Sequence, residues 1–248
     1  MQLSLVEREH ALVRPHVIAT KVSSTPSRRV DAFNPRQLRP VPRKLFARDP
    51  RLVAPDLLGK LLLRREGRKL LAGRIVELEV YLGRNDPAAH AYVGPTERNR
   101  VLFGPPGYAY VYFIYGNHYC LNVSCMREGE AGSLLFRALE PVAGIPEMLR
   151  NRDLARGSNP RLIASGPGRL AEALGITRER DNGKDLTSPR SGLWIADDGF
   201  RLAQIAVTKR IGITKAADEP LRYIIEGNEF VSGKKLRVAS TELREKRS

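Results

Sequence analysis

The sequence predicts an α+β fold, a single domain of mainly antiparallel β-sheet with peripheral helices. Three observations carry this. Residues 75–82 alternate as an extended chain does: Ile75, Glu77, Glu79 and Tyr81 point one way, and Val76, Leu78, Val80 and Leu82 the other. Later strand-like runs are joined by short connections, YGNH and MREGEAG, that contain the glycine a tight hairpin needs. Helical periods are confined to short segments.

In chain order, residues 1–43 hold Pro15, Pro26, Pro35, Pro40 and Pro42, many arginines and no sustained apolar period. They are expected to form a disordered basic arm. The domain then runs over 44–233, and 234–248 form a basic tail. Leu52–Gly59 is a short helix with Pro55 in its first turn and Gly59 closing it. Lys60–Arg65 and Leu70–Leu82 form a hairpin across REGRK. A turn at Gly83–Pro87 leads to His90, followed by a polar Gly/Pro-rich loop, Tyr92–Gly107. Loops of that length on a rigid sheet usually carry function. Tyr108–Tyr115, Tyr119–Cys125 and Ser133–Glu140 are strands. Pro146–Ala155 and Pro167–Leu174 are helical, the second capped by Gly175. Leu193–Ala196 and Leu202–Val207 are strands around DDG, and Tyr223–Ile225 closes the domain.

The charge distribution narrows the partner. The net charge is +15, of which +5 lies in residues 1–43 and +4 in 234–248, leaving +6 for the body. Basic ends on a basic domain fit a polyanion, most simply nucleic acid; a pure solubility role is the alternative. No run approaches the ~18 apolar residues of a membrane span. Glu7, Glu9 and Asp31 and the lack of an apolar segment argue against a secretory signal. The two cysteines, Cys120 and Cys125, lie five apart on one strand, where disulfide geometry is hard to reach. They are expected to be reduced and buried, in an intracellular protein.

Glu79 is the leading candidate for chemistry. A carboxylate with apolar neighbours acts as a general base near neutral pH when desolvation raises its pKa. The alternative is a solvated strand face, and Glu77 fits that better, since two like charges seldom both turn inward. Tyr81, Tyr112 and Tyr115 offer flat faces for an unpaired base, stacking being worth about 1–3 kcal/mol per base. Ordinary sheet residues are the alternative, preferred for Tyr108 and Tyr110. Tyr115 stands before Gly116–Asn117 at a hairpin tip and should project. His90 could bond a phosphate, a water or a substrate atom. Asn122 and Arg137 are polar residues within apolar strands, which a pocket wall would satisfy. Ser165–Gly175 feeds a Gly-Pro-Gly turn into a helix, a phosphate seat with Arg169 beside it. His90, His118, Cys120 and Cys125 match no standard zinc spacing, so neither metal nor cofactor is expected.

Taken together, RIVELEVYLG, DPAAHA, GPTERNRVLFGPPGYAYVYFIYGNHYCLNV, LLFRALEPVAG, ASGPGRLAEALGI and EPLRYIIEGN closely resemble the alkyladenine (3-methyladenine) DNA glycosylase family, from about Leu45 to Ser232. The resemblance implies a curved antiparallel sheet and a monofunctional enzyme, a monomer without cofactor. Its substrate would be double-stranded DNA carrying 3-methyladenine, hypoxanthine or ethenoadenine, whose glycosidic bond it hydrolyses. It further implies Glu79 as general base with Arg137 beside it and the water. Tyr81, Tyr112 and His90 would contact the flipped base, and Asn122 would discriminate against the amino group of guanine. Tyr115 would be the wedge in the duplex. Thr96, Arg98 and Arg100 would contact phosphates, in a loop about one residue shorter than the family's usual one. Asn117–His118 replaces a more apolar pair beside the wedge. The address would be cytoplasm or nucleoid in a bacterium and nucleus in a eukaryote. Two alternatives stand beside it: a helix-hairpin-helix glycosylase, and a non-catalytic nucleic-acid-binding protein that uses the tyrosines as a stacking platform.

Overall fold

The computed structural model describes residues 33–114, 116, 118–202 and 204–233. The expected arm over 1–32, the tail over 234–248, and Tyr115 lie outside these described residues. Among the described residues, nine strands make one antiparallel sheet: β1 Arg39–Pro40, β2 Leu61–Glu66, β3 Lys69–Tyr81, β4 Ala109–Ile114, β5 His118–Cys125, β6 Gly132–Ala143, β7 Leu193–Asp197, β8 Ile205–Thr208 and β9 Arg222–Ile225. Their order is β1-β7-β2-β3-β6-β5-β4, with β9 pairing both β3 and β8. Five short helices accompany them: α1 Pro50–Leu57, α2 Ile145–Asn151, α3 Arg161–Ala164, α4 Pro167–Ala173 and α5 Arg178–Asp181. The α+β reading with an antiparallel sheet is what the structure has.

Local chemistry explains the elements. The Asp49 side chain accepts from Arg51 N and Pro50 sits in the first turn, so α1 starts where its free N–H groups are capped. β2 and β3 pair from Leu61↔Arg74 to Glu66↔Lys69 across a two-residue turn. Just past the end of β3 lies Gly83, whose φ is +67; a Cβ there would lie 1.7 Å from the Ala131 carbonyl oxygen. Only glycine fits that position, and the chain turns out of the sheet there.

The central strand, β3, changes partners along its length. Its first half pairs with β2, Glu77–Glu79 pair with β9, and β6 follows it on the other edge. The register slips between Ile75 and Leu78, a β-bulge. Leu71 and Ile75 belong to the main core before it, and Val76, Leu78 and Val80 after it. The bulge therefore swaps which parity faces the core. Ile75 thus departs from the expected face, while Glu77, Glu79 and Tyr81 stay together on the opposite one.

That opposite face carries its own smaller cluster. Val111, Leu121, Val123, Leu134 and Phe136 point into the main core. Their alternates Tyr110, Tyr112, Cys120 and Leu135 form a second cluster with Ala91 and Leu102. One ladder row crosses four strands on this face: Tyr110↔Asn122, Asn122↔Leu135, Leu135↔Glu79.

Three expectations need correction. The sequence predicts an arm over residues 1–43, yet Asn34–Arg43 belong to the folded body. β1 pairs with β7, and Phe33 and Leu38 pack on Leu61, Leu63 and Trp194. Arg43 donates to Asp185 at 2.6 Å and to the Pro106 carbonyl at 2.6 Å. A two-residue strand held by distant partners has no period to read. The strands around DDG do not pair with each other: β7 joins β1 and β2, and β8 joins β9. Glu77 is no solvated residue, and its burial belongs to the site.

Candidate active site

A cavity of about 340 Å³ opens on the second face of the sheet. Tyr81, His90, Tyr112, Asn122 and Arg137, five of the sequence-derived candidates, line it together. They come from β3, the turn after it, β4, β5 and β6, so period-2 alternation on neighbouring strands aims them at one space. Tyr112 stacks on Tyr110 with ring centroids 5.1 Å apart, and His90 meets Tyr112 edge-on at 4.5 Å. His90 Nδ1 and the Tyr110 hydroxyl are hydrogen-bonded at 2.9 Å. His90 is exposed at the rim; its partial burial, then the Arg98 guanidinium, push its pKa below the ordinary imidazole value. The ring is therefore neutral at neutral pH.

Glu79 lies behind this wall, 0% exposed. Its Oε1 accepts from the Ile211 backbone N–H at 2.7 Å and faces Arg137 at 3.2 Å, and its Oε2 accepts from the Tyr81 hydroxyl at 3.1 Å. Tyr81, Arg137 and Ile211 all line the cavity, so the carboxylate reaches it through groups it holds. Burial pushes the Glu79 carboxyl above the usual carboxylate range, against the opposing pull of Arg137, the Ile211 N–H and the Tyr81 hydroxyl. Burial, then the Glu79 charge, pushes the Tyr81 hydroxyl up as well.

Glu77 is also 0% exposed, against the expectation of a solvated face. Arg137 Nε, Arg222 Nε and the Ser232 hydroxyl donate to its Oε1 at 3.0, 2.6 and 2.9 Å, and Ser232 N donates to its Oε2 at 2.6 Å. Two carboxylates turn inward because Arg137 lies between them and Arg222 serves the deeper one. Arg222 and Ser232 lie 145 and 155 residues away in sequence, which hid them.

On the far wall, the Asn122 Nδ2 donates to the Ser133 hydroxyl at 3.1 Å. Its Oδ1 is buried with no protein partner among the described residues. Cys120 lines the same wall, its thiol pushed up to about 11 by burial, so it is a neutral small apolar group there. Both cysteines are free and buried. Among the described residues no group of three or more His, Cys, Asp or Glu could hold a metal ion. No described helix is long and apolar enough to cross a membrane.

The remaining candidates among the described residues are not part of the cavity lining. Thr96, Arg98, Arg100 and Arg169 are exposed. The Thr96 hydroxyl accepts from Asn99 N at 3.3 Å, and Arg100 faces Glu97 at 3.8 Å. Arg169 donates to the Ser165 carbonyl at 3.4 Å, while its neighbour Pro167 reaches the cavity. Three residues escaped the sequence reading. Asn99, 2% exposed, pins the loop by donating to the His90 and Gly94 carbonyls, both at 2.9 Å. Tyr110 is the partner of His90 rather than a plain sheet residue. Arg210 is buried against Asp86. A polar residue inside an extended loop was the available signal for Asn99; nothing local marked Arg210.

One sheet face that gathers an aromatic-walled cavity with a buried carboxylate behind it is the layout of an enzyme pocket for a flat ring. The chain belongs to the methylpurine-DNA glycosylase family, whose model matches residues 44–229. It is 67% identical to a protein of Koribacter versatilis over 199 residues, 80% of this chain and 96% of that one. It is 48% identical to one of Methanoculleus marisnigri, covering 77% and 98%. A third, from Carboxydothermus hydrogenoformans, is 45% identical, covering 78% and 99%. All three bear the name "Putative 3-methyladenine DNA glycosylase". At the family's level this is a DNA glycosylase of DNA repair, and its substrate is DNA.

Proposed function

We propose that this chain is a monofunctional glycosylase of base excision repair that flips an alkylated or deaminated purine out of duplex DNA and hydrolyses its glycosidic bond. The flipped base enters between Tyr81, Tyr112 and His90. The cavity volume of about 340 Å³ falls within the ~300–1,000 Å³ of small-ligand sites. Flipping costs a few kcal/mol of unstacking, least for a damaged base, and stacking on the aromatic wall offsets part of it.

In the chemical step Glu79 takes a proton from a water while the water oxygen bonds to the sugar C1′. The bond from C1′ to the purine nitrogen breaks, and its electron pair leaves with the base. A cationic alkylpurine such as 3-methyladenine departs neutral, so the site needs one base and no strong acid. A neutral purine such as hypoxanthine or ethenoadenine must also gain a proton, so the one that Glu79 takes from the attacking water is balanced by one delivered to the base from solvent. Arg137, shared between Glu77 and Glu79, orients the carboxylate and the water. No lysine is among the described residues that line the cavity, which favours water over an amine nucleophile. Asn122, with its free buried oxygen, would discriminate against the amino group of guanine. Tyr115 would fill the gap in the duplex, and Thr96, Arg98, Arg100 and Arg169 would hold phosphates.

The observation that carries this reading is the Glu79 carboxylate, buried, raised in pKa and held by two hydrogen-bond donors and the Arg137 charge, all of which reach the cavity. The test is single-turnover release from a duplex carrying one hypoxanthine, wild type against Glu79→Gln. Release by the wild type and loss in the variant, with duplex binding retained, is expected. Binding by the wild type without release of hypoxanthine, 3-methyladenine or ethenoadenine would leave a binding module instead.

A further inference from the structure

We propose that the buried Arg210–Asp86 ion pair is the positioning device of this site. It holds the Ile211 amide on Glu79 and ties both sides of the cavity to the end of β3. The inference rests on the reading of Glu79 as the general base.

Arg210 lies between β8 and β9, in a stretch without regular structure. Its side chain is 0% exposed and that of Asp86 2%. The guanidinium grips both carboxylate oxygens, at 2.5 and 3.0 Å, and donates to the Val80 carbonyl at 3.0 Å and the Ala216 carbonyl at 3.2 Å. It also lies over the Tyr81 ring, 4.8 Å from its centre. The next residue along the chain is Ile211, whose N–H donates to Glu79. Asp86 meanwhile accepts from Leu82 N at 3.2 Å and Ala88 N at 3.0 Å, which fixes the turn leading to His90. Ala88 and His90 line one part of the cavity, Ile211, Gly212 and Ile213 another.

The pair is a poor device for stability alone, because the desolvation of two buried charges offsets most of their attraction. What a planar fork supplies is direction. A segment with no ladder hydrogen bonds must place one amide within 2.7 Å of a carboxylate oxygen; Arg210 anchors it through four bonds, beside one long bond from Arg137 to the Ile211 carbonyl at 3.4 Å. The other groups facing Glu79 are Arg137 from β6, Tyr81 and Glu77 from β3, and Cys120 from β5. Of these only Tyr81 touches Arg210 directly, through its ring.

The experiment uses the full chain with the lesion that the wild type releases fastest. Single-turnover rates at saturating enzyme are measured from pH 5 to 8 for wild type, Arg210→Met, Arg210→Lys, Glu79→Gln and Arg64→Met. Arg64 forms another closely paired buried salt bridge, with Asp181 (2% and 0% exposed), and neither residue lines the cavity, so it controls for lost stability. Loss of the Ile211 bond removes a donor that lowers the Glu79 pKa, so the acid limb should move up by about one pH unit. The rate at pH 7 should fall about 10- to 100-fold, with the duplex Kd unchanged. Arg210→Lys, which keeps the charge but not the fork, should recover part of both effects. Arg64→Met should lower the melting temperature and leave the profile in place. An Arg210→Met profile matching the wild type, beside an inactive Glu79→Gln, would overturn this inference alone. So would an equal shift in Arg64→Met. Should Arg210→Met fail to fold, the Arg210→Lys profile decides by the same two readings. Wild-type rates in Glu79→Gln would remove the base itself and this inference with it.

Discussion

Glu77 and Glu79 stand two residues apart on one strand, face the same side, and are both fully buried, yet their surroundings ask different things of them. Glu77 is enclosed by four donors from Arg137, Arg222 and Ser232, and two of these residues, Arg222 and Ser232, come from the strand and segment that close the domain. Glu79 has three partners, and each of them also lines the cavity. The first carboxylate is spent on joining distant parts of the chain. The second is left with a raised pKa next to open space. The comparison teaches that burial alone does not mark a candidate for chemistry: Glu77 shares only Arg137 with the cavity wall, whereas every partner of Glu79 belongs to it.

Breaking the two sides of this comparison should give opposite signatures. The largest effect expected is on the rate in Glu79→Gln, a loss of about 10²- to 10⁴-fold in single-turnover release. The same variant should melt no lower than the wild type at pH 7. The folded carboxyl keeps its proton to higher pH than the unfolded one, so its contribution to stability is complete below the unfolded pKa and lost as pH rises through the folded one. Glutamine escapes that loss, and a melting temperature clearly below wild type at neutral pH would contradict the sign.

Next comes Glu77→Ala. It leaves Arg222 buried without its counter-charge and Arg137 with Glu79 alone, at a cost of about 3–5 kcal/mol by denaturant unfolding. Unchanged stability would show that water replaces the carboxylate at no cost. Ser232→Ala removes one hydroxyl bond to Glu77 and should cost about 1–2 kcal/mol while leaving the pH–rate profile in place. The smallest effect, Tyr81→Phe, sharpens the contrast. It removes the donor to Glu79 Oε2 and should move the acid limb upward by less than about one pH unit, with little change in stability. A profile that moved in Ser232→Ala but not in Tyr81→Phe would reverse the roles assigned to the two carboxylates.

Much of the site was legible because it lies on strands. Alternation in residues 75–82 put Glu79 and Tyr81 on one face, and the same period brought Tyr112 and Asn122 to it from β4 and β5. The bulge between Ile75 and Leu78 was not legible, since a register slip depends on the partner strand and not on local pattern. Nor was the fate of Glu77, because the charges that satisfy it arrive from β6, β9 and Ser232. Asn34–Arg43 were misread for a related reason. A pair of residues bonded to β7 and an arginine bonded to Asp185 carry no period of their own.

The sequence by itself determined the sheet, most strand limits, the tight turns and the candidates Glu79, Tyr81, Tyr112, Asn122 and Arg137, because period-2 alternation and turn chemistry are local properties of a chain. Only the tertiary structure decided which acid is anchored and which stands behind the cavity, and that Arg210 and Asp86 close the site. Those outcomes rest on side chains more than a hundred residues apart, and the strength of each contact depends on a shared low-dielectric interior that exists only once the chain has folded.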